Sequence, residues 1–258
     1  RLWLTGFCVL AAILAVAALA TGAGVGFGST MTGLLPPYYN YTAFVLAAAA
    51  AAAAALALSP EAPKAMARVW LWILVIGLTT CLLLARSRGG LLGLSAAATW
   101  LAWRRGGTKV LLAMSAAAVV SIVLSPEAWK NAAFKRGRSL GEARPAIWRA
   151  AFDLAADSPL LGEGPGNFSV GFIRRPARSS YGAANWGLST PYAHSEPLQA
   201  GAETGGVGLV LWLLGFGATL IGALRGSRER LGAAEIAARA ALIAVLPQIL
   251  MDNMLQLP

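Results

Sequence analysis

His194 is the only histidine among 258 residues. Histidine is the side chain whose ordinary titration suits proton transfer near neutral pH. It stands about a dozen residues before an apolar run, with Glu196 and Glu203 nearby in sequence. A lone histidine is often a surface residue with no role, but a place in a long polar loop beside a lipid interface favours general acid–base work. Arg86 and Arg88 follow another apolar run and precede Gly89-Gly90. Paired guanidiniums there suit a phosphate or pyrophosphate, gripped in bidentate fashion, while the plainer account is arginines snorkelling from a helix end. Arg144 and Arg149 flank the start of a helical stretch, where Arg149 and Asp153 have the spacing of an ordinary i,i+4 pair.

Other patterns carry no chemistry. Gly22 to Gly28 lacks both a preceding strand and dinucleotide-fingerprint spacing, and close helix packing explains it better. "GEGPGNFS" has no P-loop lysine, and Ser95 has no nucleophile elbow. Cys8 and Cys81 sit in apolar runs like small buried hydrophobes. No cluster suggests a metal site, so the expected chemistry is metal-free and needs no cofactor.

These side chains must be positioned by a chain that is 57% hydrophobic and only 12% charged, with a mean hydropathy of +0.64. A soluble domain is about 25% charged. The apolar residues fall in long runs, which excludes a cytosolic enzyme or a disordered chain and points to an all-α polytopic membrane protein. The net charge of +10 suggests nucleic acid at first sight. The cations, however, lie between apolar runs and in one long loop, so topology explains them and no nucleic-acid partner is expected.

A spanning helix needs about 20 mostly apolar residues. Seven runs are expected to span: Leu2 to Phe27, Tyr41 to Leu58, Val69 to Ala85, Gly90 to Trp103, Val110 to Leu124, Gly206 to Leu224 and Ala233 to Met251. The second is mostly alanine, a strong helix former of weak hydrophobicity. With the N-terminus in the cytoplasm, the inside loops hold Lys64, Arg68, Arg104, Arg105, Lys109, Arg225, Arg228 and Arg230, whereas Ser29 to Asn40 holds no Lys or Arg. The positive-inside rule fixes that orientation. The expected organisation is 1–124 with five spans, 125–205 as an extracytoplasmic loop and 206–258 with two spans. Arg1 in place of Met suggests a fragment of a longer chain.

A loop of about 80 residues between spans is usually functional or separately folded. "ARPAIWRAAFDLAADSP" predicts an amphipathic helix with Pro145 in its first turn. Ile147, Trp148, Ala151, Phe152 and Ala155 would share one face, and Ser158-Pro159 would end it. The cluster Gly162, Gly164, Pro165, Gly166 and Asn167 predicts turns. "TPYAHSEPLQAGAETGG" predicts another helix leading into the sixth span. Together these segments predict a compact cap lying on the membrane surface.

Three segments then resemble, in order and spacing, the O-antigen ligase and O-antigen polymerase superfamily of bacterial inner-membrane glycan-transfer proteins. They are "SRGGLLGL" from Ser87, "ARPAIWRAAFDLAADSPLLGEGPGNF" from Ala143 and "HSEPLQAGAETGGVGLVLW" from His194. The final "MDNMLQLP" is similar to a further family stretch. The resemblance implies transfer of a glycan from an undecaprenyl-diphosphate carrier to lipid A core, a growing polysaccharide or a protein hydroxyl, at the periplasmic face of the inner membrane. It implies diphosphate-binding roles for Arg88 and Arg144, joined by Arg86, and a general-base role for His194. Glu203, Glu196, Gly164 and Asn167 would be supporting residues. Family members usually carry about a dozen spans, more than the seven expected here, and Glu196 stands where the family often shows Asn. On a straight helix rising about 1.5 Å per residue, Glu203 would lie two and a half turns from His194, so the spacing does not name the group that orients the histidine.

Two rivals remain open at this level. A transporter or lipid-linked glycan binder would carry charges along a path through its spans, where only Arg239 and Asp252 come near. Such charges cost roughly 2.5 to 3.5 kcal/mol at mid-membrane. A serine hydrolase would use Ser95 with His194, despite the missing elbow.

Overall fold

The computed structural model describes residues 39–59, 65–84, 87–124, 140–174, 190–225 and 231–251. These form seven helices: α1 Tyr39–Leu58, α2 Ala65–Leu84, α3 Arg88–Leu124, α4 Leu140–Asp157, α5 Phe168–Arg174, α6 Glu196–Leu224 and α7 Ala233–Met251. No strand occurs among the described residues. The expected first span, Arg86, Cys8, the Gly22 to Gly28 cluster and Asp252 all lie outside them.

Three helices are long and apolar enough to cross a membrane, at Ala65–Leu83, Glu196–Leu224 and Ala233–Met251; the apolar part of α1, Thr42–Leu58, is slightly shorter. The expected spans Gly90 to Trp103 and Val110 to Leu124 fall on the single helix α3. It is interrupted by non-helical backbone at Gly107 (φ 62°, ψ −152°). The Arg104 to Lys109 segment is thus a helix break where a loop was expected. That backbone geometry is open essentially only to glycine.

The chain divides into two compact units, residues 1–129 with 222–248 and residues 130–221 with 249–258. The first is built around α1. Ala47, Ala49, Ala50, Ala52 and Ala53 are buried in a core shared with Leu78 and Leu82 of α2, Ala97 and Trp100 of α3, and Ala237, Ala240 and Ala244 of α7. Alanine leaves room for neighbouring helix backbones to close in, as small residues do between helices in lipid. The closest approach joins α3 to α7, where a methyl group added to Gly93 would run into the carbonyl of Ala244. Ser87 is buried, and its hydroxyl accepts a hydrogen bond from the Gly90 amide at 3.3 Å. It acts as the N-cap that starts α3.

The second unit holds α4, α5 and the first part of α6. Its core joins Ile147, Ala150, Ala151 and Leu154 of α4 to Phe168 and Phe172 of α5, with Ala193 and Ala202. The buried stripe of α4 is therefore rotated from the expected face. Phe152 is 62% exposed, because Ala150 and Leu154 complete the i, i+3, i+4 pattern through Ile147 and Ala151 better than the larger aromatic does. Helix α4 also starts at Leu140, so Pro145 lies inside it and not in its first turn. The ring's fixed φ is helical, but inside the helix it removes one amide donor and crowds the carbonyl four residues before it. The helix ends at Asp157, before Ser158-Pro159, as expected.

Candidate functional site

The glycine-rich turn after α4 and the start of α6 are built against each other. Gly162, Gly164 and Gly166 all have positive φ, which accounts for three glycines in five residues. The Glu163 amide donates to the carbonyl of Ala202 at 3.0 Å, and the Gly164 amide donates to that of Glu203 at 2.9 Å. Helix α6 breaks at Gly205 (φ 63°, ψ −161°). Beyond the break, the amides of Gly206 and Val207 donate to the carbonyls of Pro159 and Leu160 at 2.7 and 3.4 Å. A side chain at Gly162 would collide with the Glu203 carbonyl, and one at Gly205 with the Leu160 carbonyl. The two segments fit only because both positions are bare.

This docking also decides what "GEGPGNF" does with its amides. Those of Gly162, Glu163, Gly164 and Asn167 are bonded to carbonyls of the protein, so they are not a nest open to an anion. Asn167 supports the turn by donating from Nδ2 to the Glu163 carbonyl at 3.0 Å.

Within the first segment of α6, Glu203 and Gln199 form a buried relay. Gln199 Nε2 donates to Glu203 Oε1 at 2.7 Å. The same oxygen accepts from the Phe168 amide at 3.2 Å. Gln199 Oε1 in turn accepts from the Ala193 amide at 2.6 Å. Gln199 and Glu203 are 1% and 6% exposed, and the low dielectric around them strengthens each bond. The relay ends at the residue before His194, the one non-glycine residue with positive φ among those described (52°). Histidine is among the side chains enriched in that region, and such strain persists only where its surroundings hold it. Glu203 thus reaches the histidine segment through Gln199, although their separation along the helix is large.

Gln199 is the residue the sequence reading missed. Its signal was present: an amide four residues before a carboxylate, so that both fall on one helix face. Glu196 is also buried, at 4% exposed. Arg144, half-buried on α4, belongs to the same unit as His194, Gln199 and Glu203. Arg88 is the first residue of α3 and belongs to the other unit. The Trp148 indole nitrogen, one turn after Arg144, is buried and meets no hydrogen-bond acceptor among the described residues.

The charge that the transporter reading invoked has a structural use. Arg239 pairs with Glu235 at 2.7 Å, one turn away on α7, and its other terminal nitrogen donates to the carbonyl of Arg225 at the end of α6. It closes a helix terminus and does not line a path.

The described elements that carry these residues coincide with a match to known proteins. No curated protein matches the chain. A family model described as O-antigen ligase matches residues 72–213, which is 142 of the 258 residues (213 − 72 + 1) and takes in α3, the glycine-rich turn, His194 and the first half of α6. The chain is therefore an all-helical membrane protein that belongs to the O-antigen ligase family.

Proposed function

We propose that this protein transfers a glycan from an undecaprenyl-diphosphate carrier to an acceptor hydroxyl at the periplasmic face of the inner membrane, through a chain that crosses the membrane seven times. The observation that carries the proposal is the relay from Glu203 through Gln199 to Ala193, which fixes the backbone beside the sole histidine. In this reading His194 accepts the proton of the acceptor hydroxyl. That oxygen attacks the anomeric carbon of the donor sugar as the bond to the diphosphate oxygen breaks, with inversion at that carbon. The carrier leaves as its diphosphate anion.

The charge that grows on the leaving group must be met by fixed positive groups. Arg88, Arg144 and Arg86 fill that role in the proposal. Arg88 opens α3, where the helix's own partial positive charge works against a cation. An anion bound there would be favoured by the guanidinium and the helix together. Glu203 and Glu196 act through the segment that carries the histidine, and Gly164 and Asn167 through the turn packed on it. The domain roles follow: 125–205 supplies His194 and Arg144 above the membrane, while 1–124, which adds Arg86 and Arg88, and 206–258 hold it there.

The test is the ladder of surface glycans from a deletion strain complemented with the wild-type gene or with His194→Ala. The expected result is restoration by wild type alone at equal protein level. Loss of all acceptor-linked polymer on deletion, with carrier-linked polymer accumulating, identifies a ligase. Single repeats left on the acceptor identify a polymerase. An unchanged ladder on deletion overturns both.

A further inference from the structure

The turn between α4 and α5 carries two adjacent leucines that none of the described residues covers. Leu160 and Leu161 are 71% and 76% exposed. Nearby on α5, Val170 and Ile173 are three residues apart and so on one face, and they are 46% and 63% exposed. Large apolar side chains are seldom left in water so close together unless another surface meets them.

The position of the turn says what that surface is. The carbonyls of Pro159 and Leu160 accept from the amides of Gly206 and Val207, the first residues of α6 beyond its break at Gly205. A helix start leaves its first amides without partners, and in lipid no water can satisfy them. The turn therefore caps the second segment of α6 at its membrane end. That segment runs from residue 206 to 224, and 19 residues at about 1.5 Å each rise about 28 Å. This is the whole hydrocarbon thickness, about 30 Å. Gly206 must then lie at one edge of the hydrocarbon, and Leu160, bonded to its neighbour Val207, lies at the same depth.

We infer that Leu160 and Leu161 insert into the acyl chains at the membrane boundary, forming a lipid anchor that holds the α4–α5 region at the bilayer surface. The occupant is bilayer lipid. This inference rests on the fold and the membrane, not on the catalytic role of His194.

The test uses the full chain with Cys8→Ser and Cys81→Ser, reconstituted in phosphatidylcholine vesicles. A fluorescent thiol label is placed at Leu161→Cys or, as a control in the same turn, at Pro165→Cys, which is exposed and itself makes none of the turn's bonds to α6. Phosphatidylcholine brominated high on its acyl chains should quench the label at position 161 strongly, and aqueous iodide should barely reach it. The label at 165 should show the reverse. Equal quenching of both labels by iodide overturns the anchor. So does a loss of lipid quenching at 161 when undecaprenyl phosphate is added, because the patch would then hold a carrier chain and not the bilayer. Leu160→Cys provides a second reading if the 161 label perturbs folding.

Discussion

Helix α1 and the second segment of α6 are nearly the same length and entirely different in what surrounds them. The first is an alanine run enclosed on every side by α2, α3 and α7. The second is a leucine- and valine-rich rod whose side chains face outward, with Val210, Leu211, Leu213 and Leu214 all at least half exposed and the hydrophobic window of α6 only 6% buried within the protein. Mean hydropathy does not separate them, but side-chain size does. The reason is that lipid rewards large apolar side chains, whereas helix–helix contact in a membrane rewards small ones that let backbones approach. In this chain, large apolar side chains mark the outward-facing rod, and uninterrupted alanine marks the core of its unit.

The contrast can be broken most severely where the α6 rod meets the glycine-rich turn. Gly205→Ala would force a side chain into a backbone region reserved for glycine and into the Leu160 carbonyl. It should cost ~3 kcal/mol or more, seen as loss of monodisperse protein in detergent at temperatures the wild type survives. Ala50→Leu, at a position with no exposed surface, should cost about 1 to 3 kcal/mol through overpacking, lowering the thermal midpoint in the same assay. Gln199→Leu removes both ends of the relay and leaves the Ala193 amide and the Glu203 carboxylate short of partners. It should cost about 1 to 3 kcal/mol, and surface-glycan transfer should fall further than the protein level does. The smallest effect is expected for Leu214→Ala on the lipid-facing rod, within about 0.5 kcal/mol. If Ala50→Leu and Leu214→Ala shift the thermal midpoint equally, the division into an enclosed helix and a lipid-facing one is wrong.

Much of the site was legible because its signals are local. Positive-φ turns announce themselves as Gly162, Gly164 and Gly166, and the stop of α4 at Ser158-Pro159 is a property of neighbouring residues. On the buried face of α4, Ile147 and Ala151 were expected correctly, but Phe152 looks like core by type, and only packing against Phe168 and Phe172 selects Ala150 and Leu154 in its place. The α3 break falls within the expected Arg104 to Lys109 segment, but its form was not legible. Two arginines and two glycines read as a loop, yet a single glycine torsion at Gly107 is enough to redirect a helix that otherwise continues.

By itself the sequence determined that the chain is helical, that it belongs in a membrane, and which family it joins, because hydropathy, turn chemistry and motif order are all written in short stretches of residues. It also singled out His194, which has no other histidine to compete with it. The folded arrangement was needed to show that Gln199 carries the link from Glu203 to the His194 segment. It alone brought the glycine-rich turn to the break in α6 and placed the alanine helix at the centre. The last two join residues distant in sequence, through a hydrogen bond or a close backbone approach. Such contacts depend on how whole helices pack, and no local pattern records them.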